Sequence, residues 1–259
     1  MSEPFSGWAP PEEAPPAPPR HPVADVPWNI GDAGFVLGIW FVVTVIIGGV
    51  LLQVLEGLTS ETDAQAVVLP ITAIALVLVV VVYVAVRYPG AARRLLGPAR
   101  PSWTALGIGI VAGGVAWAAL TLGFGTLLEL IARALQAELP QVQETYQKIA
   151  QDQTAAPLLV IGSVVAAPIA EELFYRGLLF SALRKRFDLW PAMGLSGLVF
   201  GLTHVQASIE GYLLVLLIIM PLGMFLAFLY DRTRTLLVPI TAHAVFNLVN
   251  VLLLIQGRV

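Results

Sequence analysis

Three charged residues lie inside an apolar stretch of the sequence. Glu171, Glu172 and Arg176 all fall within the apolar segment 155–183. If this segment is a membrane helix, each charge near its centre costs about 2.5 to 3.5 kcal/mol on insertion. Charged residues retained at such positions are typical of functional sites. The segment is therefore the first candidate for a site of chemistry.

An internal ion pair accounts for only part of this group. Glu172 precedes Arg176 by four residues, the order and spacing that favour a pair on one helix face. Glu171 is left over, because its side chain points about 100° away around the helix axis. Its neighbour four residues on is Tyr175, which offers a hydrogen bond rather than a counter-charge.

Two histidines in other apolar segments complement the acids. His204 and His243 both stand among apolar residues, and Asn247 follows His243 by four residues. That spacing places His243 and Asn247 on one helix face, where they can present two hydrogen-bond donors to a single point. Either histidine alone fits a packed core equally well, but the two together favour a site.

This set of residues suits the hydrolysis of an amide. Glu171 with His204 can hold and deprotonate a water molecule, and His243 with Asn247 can stabilise the oxyanion. The catalytic side chains would be held in position by three neighbouring residues, Glu172, Arg176 and Tyr175. Counting about 1.5 Å per residue from the predicted helix ends puts the polar groups in one layer, between the membrane centre and the cytoplasmic face. We therefore expect a cavity that opens toward the cytoplasm.

The ordered motifs resemble those of a known family, the membrane-embedded CAAX proteases and bacteriocin-processing enzymes (the CPBP or Abi family), which includes type II CAAX prenyl endopeptidases. The match comprises Glu-Glu-x-x-x-Arg at 171–176, Phe-x-x-x-His at 200–204 and His-x-x-x-Asn at 243–247. The resemblance implies an intramembrane endopeptidase in which Glu171 and His204 activate water while His243 and Asn247 bind the oxyanion. It also implies membrane-associated protein or peptide substrates, prenylated ones among them.

A zinc site is the alternative form of this chemistry, because the family is often labelled metalloprotease. Its ligands would be Glu171, His204 and His243, a set of types that zinc accepts. The sequence has no His-Glu-x-x-His motif, and the only remaining base, Glu172, is assigned to Arg176. We therefore favour a mechanism without a cofactor and keep zinc as the alternative.

Three other functions compete with this one. Gly-Leu-Ser-Gly at 194–197, together with His243, has the residue types of a rhomboid-like serine protease with Ser196 as nucleophile. Buried Glu and His residues also occur in transporters and proton pathways. A scaffold could keep the polar core for folding alone. The serine mechanism and the scaffold would leave the acidic motif without a catalytic role.

The composition indicates where such a site must be built. Of the 259 residues, 58% are apolar and 12% charged, against about 45 to 50% and 25% in soluble domains, so the surroundings are mostly lipid. A net charge of -3 provides no basic field for nucleic acid. With no cysteine, the chain itself has no disulfide and no thiolate chemistry.

Seven apolar segments are long enough to be considered as membrane helices. They lack the alternation of barrel strands, so the predicted fold is an all-α polytopic bundle of about seven transmembrane helices. The fifth segment is the shortest. The segments are 33–55, 66–86, 104–128, 155–183, 190–205, 211–230 and 236–255.

The basic residues predict the orientation. With a cytoplasmic N-terminus and an outside C-terminus, ten Lys and Arg fall in inner segments and only Arg133, Lys148 and Arg258 in outer ones. In a bacterium this would be the plasma membrane. The outer connection 133–154 would carry an amphipathic helix at the membrane surface. The ten inner residues are Arg20, Arg87, Arg93, Arg94, Arg100, Arg184, Lys185, Arg186, Arg232 and Arg234.

The domain organisation follows from these segments. Nine of the 19 prolines occur in residues 1–27, which predicts a disordered cytoplasmic tail over 1–32. Residues 33–259 form the predicted protease domain, with the core motifs in 155–255. Pairs of glycines four residues apart, at 109 and 113 and at 197 and 201, predict close helix packing.

Overall fold

The described part of the chain consists of helices joined by short connections. A computed structural model describes residues 21–136, 144–204 and 208–257. Over these ranges the chain forms a polytopic bundle of eight α-helices, which confirms the predicted all-α fold. They are α1 Ile30–Glu56, α2 Glu61–Arg87, α3 Trp103–Ala134, α4 Glu144–Gln151, α5 Ala156–Leu183, α6 Leu189–Leu202, α7 Ile209–Thr233 and α8 Leu237–Ile255.

Side-chain caps begin several of these helices. The Asn29 side chain accepts hydrogen bonds from the backbone N–H groups of Gly31 and Asp32 at the start of α1. Ser60, Ser102 and Ser208 cap α2, α3 and α7 in the same way. These residues satisfy N–H groups that have no partner within the helix. They place the starts of α1 and α2 a few residues earlier than the apolar pattern predicts.

Six of the eight helices are long and apolar enough to cross a membrane. The fifth predicted segment is α6, which has only 14 residues. At 1.5 Å per residue it covers about 21 Å, less than the roughly 30 Å of a hydrocarbon core. Six full-length spans and one short apolar helix therefore correspond to the seven predicted segments, and α6 ends within the bundle at the site described below.

The basic residues gather at one end of the bundle, here called the basic end. The connection before α3 reaches the connection before α8 there, where Ala99 N–H donates to Arg234 O at 2.8 Å and Leu236 N–H donates to Leu96 O at 3.0 Å. Every predicted inner basic residue that the structure describes lies in a connection or last helical turn at this end. Arg20 and Arg258 lie outside the described residues. Which side of a membrane the basic end faces remains a prediction.

Residues 21–29 are packed against the basic end, although the sequence predicted a disordered tail through residue 32. Trp28 is fully buried, and its Nε1–H donates to Ser181 Oγ at 2.8 Å. Lys185 Nζ donates to the carbonyl oxygens of Val26 and Trp28. Proline content excluded a regular helix here but carried no information on docking. The predicted disorder of residues 1–20 lies outside the described residues.

The predicted amphipathic connection contains α4 at the opposite end of the bundle. Ile149 and Ala150 are buried against α2, α5 and α8. Gln151 Nε2 donates to Leu254 O, near the end of α8, at 2.6 Å. The helix therefore closes this end of the bundle by packing between three spans.

The glycine pairs allow close helix contacts, as predicted. A Cβ atom built on Gly109 would lie 2.6 Å from Thr241 Cβ of α8, and one on Gly197 would lie 2.8 Å from Met220 O of α7. Gly113 and Gly201 meet the same two helices. The close contacts hold α3 against α8 and α6 against α7, and so bring the last two motif helices into the bundle.

Candidate active site

The site is built around a buried contact between α5 and α8. The Nδ1 atom of His243 lies 3.0 Å from Oε1 of Glu172, and the same oxygen accepts a 2.9 Å hydrogen bond from Arg176 Nη1. All three side chains are almost completely buried. The predicted Glu172–Arg176 pair is present, but Glu172 also holds His243. Because a carboxylate accepts hydrogen bonds, Nδ1 of His243 carries the proton in this contact.

Arg176 joins three helices. Besides Glu172 it donates through Nη2 to the carbonyl oxygen of Gly223 on α7 at 2.9 Å. Its guanidinium stacks over the ring of Phe200 on α6, 4.8 Å from the centroid. A wide, π-helical stretch of α5, Leu173–Phe180, surrounds it, and such turns frequently occur at functional sites. Arg176 therefore links α5 to α6 and α7.

Glu171 faces a cavity rather than the ion pair. Its Oε2 atom lies 3.9 Å from Nε2 of His243, too long for a hydrogen bond. This oxygen is buried and has no hydrogen-bond partner among the described residues, although the side chain as a whole is 23% exposed. Glu171 is therefore a carboxylate with free hydrogen-bonding capacity at the wall of a cavity.

His204 reaches the same cavity from the end of α6. Its Nδ1 lies 2.7 Å from the carbonyl oxygen of Phe200, so Nδ1–H donates and Nε2 keeps its lone pair when the ring is neutral. The Phe200 ring packs edge-on between His204 and His243, with centroid distances of 4.8 and 5.7 Å. The phenylalanine of the Phe-x-x-x-His motif thus both orients His204 and packs against His243.

Asn247 and Tyr175 have different positions. Asn247 lines the cavity one turn beyond His243, and its Nδ2 donates to Ser163 O at 2.7 Å. The amide group has two N–H donors, so one remains for a substrate. Tyr175 does not form the expected contact with Glu171. Its hydroxyl pairs with Thr203 Oγ1, directly after α6, because α5 and α6 pack together at that point.

The cavity has a volume of about 110 Å³. It extends from Glu171 and His243 toward the end of the bundle opposite the basic end. Glu171 and His243 lie at one end of its wall, while Tyr146 of α4 and Val251 and Leu254 near the end of α8 line the other. The expectation that it opens toward the basic, predicted cytoplasmic, end is therefore wrong. Counting residues from the helix ends gave the position of each polar side chain along its helix. It could not show on which side of the polar layer packed side chains fill the space.

Tyr146 is a cavity residue that the sequence did not indicate. It belongs to the amphipathic helix α4, far from the three motifs, and it lines the cavity together with Glu171. Burial, with a contribution from the negative charge of Glu171, raises the pKa of Tyr146 to about 12. The phenol is therefore a neutral hydrogen-bond donor at physiological pH. Only the amphipathic pattern of α4 pointed to a buried face at this position.

The alternative zinc site lacks suitable geometry. Within residues 21–136, 144–204 and 208–257, no group of three or more His, Cys, Asp or Glu side chains is placed to share one metal ion. Nδ1 of His243 is used by Glu172, and the remaining Nε2 of His243, the Glu171 carboxylate and His204 are not placed to share one ion. The described residues do not fit the three-ligand zinc site, and no step below depends on zinc.

Ser196 is not among the residues that line the cavity. It is completely buried, and its Oγ lies 3.4 Å from the carbonyl oxygen of Tyr175. Its position between α6 and α5 is that of a packing residue, as its glycine-rich surroundings suggested. The serine-protease alternative receives no support from this arrangement.

The chain was compared with known families, proteins and solved structures. Residues 153–249 match the family described as type II CAAX prenyl endopeptidase, Rce1-like. The chain is 35% identical over 104 residues to the proposed membrane peptidase YdiL of Bacillus subtilis (strain 168). This match covers 40% of each protein, so the chain spans less than half the length of that relative. No solved structure matches the chain.

The matched range contains all three motifs and every residue of the Glu172–Arg176–His243 contact. It extends from the start of α5 into α8, and it also includes α6 and α7. The comparison and the geometry therefore concern the same four helices. Residues 153–249 are therefore similar to the Rce1-like family of type II CAAX prenyl endopeptidases over the helices that carry the site.

Proposed function

We propose that this protein is an intramembrane endopeptidase that hydrolyses peptide bonds of membrane-associated substrates with a water molecule activated by Glu171. The observation that carries the proposal is that Glu171 and His243 meet from different helices at one cavity, which His204 and Asn247 also line. The apolar part of the wall, including Ile219 and Leu222, suits a substrate with a lipid-like or transmembrane segment.

In the proposed reaction, Glu171 acts as the general base. Its unpartnered Oε2 takes a proton from water, while Nε2 of His204 accepts the second hydrogen bond of that water. The water oxygen bonds to the carbonyl carbon of the substrate, and the electron pair of the carbonyl double bond moves to its oxygen. The product of this step is a tetrahedral oxyanion and a protonated Glu171.

His243 and Asn247 stabilise that oxyanion. Protonated His243 donates from Nε2, and its positive charge is balanced by Glu172 at Nδ1. Asn247 donates from the N–H that Ser163 does not use. Donors fixed before the reaction stabilise developing charge without reorganising, which is the largest contribution in many hydrolases. Tyr146 supplies a further neutral donor from α4 to the bound substrate.

The proton on Glu171 completes the cycle. It passes to the amide nitrogen as the carbon–nitrogen bond breaks, so that one water molecule is consumed and a carboxyl group and an amine are formed. Glu171 returns to its ionised form. Arg176 takes no part in proton transfer and holds the Glu172 carboxylate in position.

Comparison of cellular peptide termini tests the proposal. Cells that produce the wild-type protein should contain termini that are missing from cells with Glu171→Gln, at equal protein level. Glu56→Gln, at an exposed position in the last turn of α1, is the matched control and should retain every terminus. The family match suggests prenylated proteins as one substrate class to inspect.

Other outcomes would replace the proposal. Identical termini in the three strains would contradict peptidase activity. In that case, a Glu171-dependent proton flux in liposomes would indicate a transport function, and a cellular phenotype insensitive to Glu171→Gln and His204→Ala would indicate a scaffold. Activity lost with Ser196→Ala and kept with Glu171→Gln would indicate the serine mechanism.

A further inference from the structure

A second and larger cavity lies at the basic end of the bundle. Its volume is about 470 Å³. One wall is formed by residues 22–26, the docked segment before α1, and the other by residues 90–101, which connect α2 to α3. Tyr230, in the last part of α7, lines it as well. This basic-end cavity shares no residue with the cavity that contains Glu171.

Positive charge dominates its wall. Arg93, Arg94 and Arg100 line the cavity, and Asp25 is the one acidic residue among its described lining residues. Asp25 lies 3.7 Å from Arg94 Nη1, which also donates to the Asp25 carbonyl oxygen at 3.2 Å. Arg93 and Arg100 have no acidic partner in the described cavity wall. An excess of two arginines matches an anion, and the guanidinium fork fits a phosphate group in particular.

A buried tyrosine also lines this cavity. Tyr230 is only 1% exposed, and no hydrogen bond to its hydroxyl is formed within the described residues. A phenol hydroxyl can donate one hydrogen bond, which a ligand oxygen in the cavity could accept. Gly97 allows the connection between α2 and α3 to approach this ring closely, because a Cβ atom at residue 97 would lie 3.0 Å from Tyr230 Cε2. With φ at +88°, this position also favours glycine.

The location favours a lipid as the source of the phosphate. The cavity lies where α2 ends and α3 begins, so its arginines stand at the depth of the lipid headgroups if these helices span the membrane. Next to it, Leu96 is 49% and Trp103 88% exposed. Tryptophan is enriched at this depth of a bilayer, where its ring borders the acyl chains. The charged cavity therefore lies beside an exposed apolar surface. A phospholipid, which has a charged headgroup and apolar chains, would contact both.

We propose that the basic-end cavity binds the phosphate headgroup of an anionic phospholipid through Arg93, Arg94 and Arg100, with the Tyr230 hydroxyl as an additional donor. The bound lipid would link the segment before α1 to the connection between α2 and α3. This site does not depend on the proposed peptidase activity.

Native mass spectrometry of the purified full chain tests the site. The probes are phosphatidylglycerol and phosphatidylcholine with identical acyl chains, and the readout is the fraction of protein that retains lipid. We expect preferential retention of phosphatidylglycerol and about tenfold weaker binding for each arginine removed. The double variant Arg93→Gln/Arg100→Gln should lose this preference. Arg186→Gln/Arg232→Gln removes the same charge from exposed positions outside the cavity and should keep it.

Two further measurements test the role of the Tyr230 hydroxyl and the source of the phosphate. Tyr230→Phe removes only the hydroxyl, so it should weaken phosphatidylglycerol binding while the melting temperature of the lipid-free protein stays unchanged. Inorganic phosphate at millimolar concentration should not displace the lipid. Equal retention of the two lipids, equal loss in both double variants, or displacement by inorganic phosphate would each overturn the proposal.

Discussion

Nδ1 of His243 lies 3.0 Å from Oε1 of Glu172, on the oxygen that also accepts the hydrogen bond from Arg176. The contact joins α8 to α5 and fixes the orientation of the imidazole, so that Nε2 faces Glu171. An acid in this position determines which ring nitrogen of the histidine donates to it and which one faces the cavity. Glu172 therefore has two tasks, a structural one toward Arg176 and, in the proposed mechanism, a functional one toward His243.

Glu172→Gln should separate these two tasks. The glutamine oxygen can still accept from His243 Nδ1–H, but the neutral amide does not stabilise a positive imidazole. We expect kcat to fall about 100-fold with little change in KM, whereas Glu171→Gln should leave no measurable turnover. Steady-state assays on a substrate found by the terminal-peptide comparison would measure both. Equal residual activity in the two variants would contradict the distinct roles of the two acids.

Arg176→Met should destabilise the fold. It leaves the carboxylate of Glu172 without its guanidinium partner, and breaking a fully buried pair from one side costs about 3 to 5 kcal/mol. Equilibrium unfolding in mild detergent would measure the loss. The double variant Glu172→Gln/Arg176→Met should lose less than the sum of the single variants, because no unpaired charge remains. Strict additivity would show that the two side chains are not coupled.

Tyr146→Phe should lower activity without affecting stability. The ring that packs under α4 is kept, and only the hydroxyl in the cavity is removed. Because the pKa of Tyr146 is raised to about 12, the hydroxyl does not titrate near neutral pH, and kcat/KM should fall by about tenfold equally from pH 6 to 9. Tyr88→Phe, which loses a hydroxyl contact to Asp32 at the basic end, is the control. A pH-dependent loss would argue against a neutral donor.

Chelation distinguishes the proposed glutamate mechanism from the zinc alternative. Activity of the purified protein should survive 1,10-phenanthroline and EDTA at concentrations that inactivate a zinc protease in the same detergent. Loss of activity on chelation, with recovery when zinc is added, would make Glu171, His204 and His243 metal ligands instead. Metal content measured by mass spectrometry provides a second, activity-independent readout.

Single cysteines can report the orientation, because the natural chain contains none. Lys148→Cys lies on α4 at the opposite end, and Arg186→Cys lies at the basic end, both at exposed positions. If the basic end is cytoplasmic, a membrane-impermeant maleimide should label position 148 in intact cells and position 186 only after permeabilisation. The reverse pattern would invert the predicted topology and place the Glu171 cavity toward the cytoplasm.

Much of the fold could be predicted from the sequence, because it depends on interactions between residues that are close together in the chain. A helix in lipid satisfies its own backbone hydrogen bonds, so the length of an apolar segment is nearly enough to identify it. The pairing of Glu172 with Arg176 depends likewise on a four-residue spacing. Residues 21–29 show the limit of such reasoning, because proline content excludes a helix but does not tell whether the segment docks.

The site itself depended on contacts between distant parts of the chain. His243 and Glu172 are 71 positions apart, and Tyr146 reaches the cavity from a helix that carries none of the three motifs. The sequence by itself determined which residues are candidates for the chemistry, how they are spaced along each helix and which helices hold them. Only the tertiary structure decided that Glu172 holds His243, that Tyr175 pairs with Thr203 and that the cavity runs away from the basic end. These features depend on which helix faces pack together, and packing between distant segments is not encoded in any local spacing.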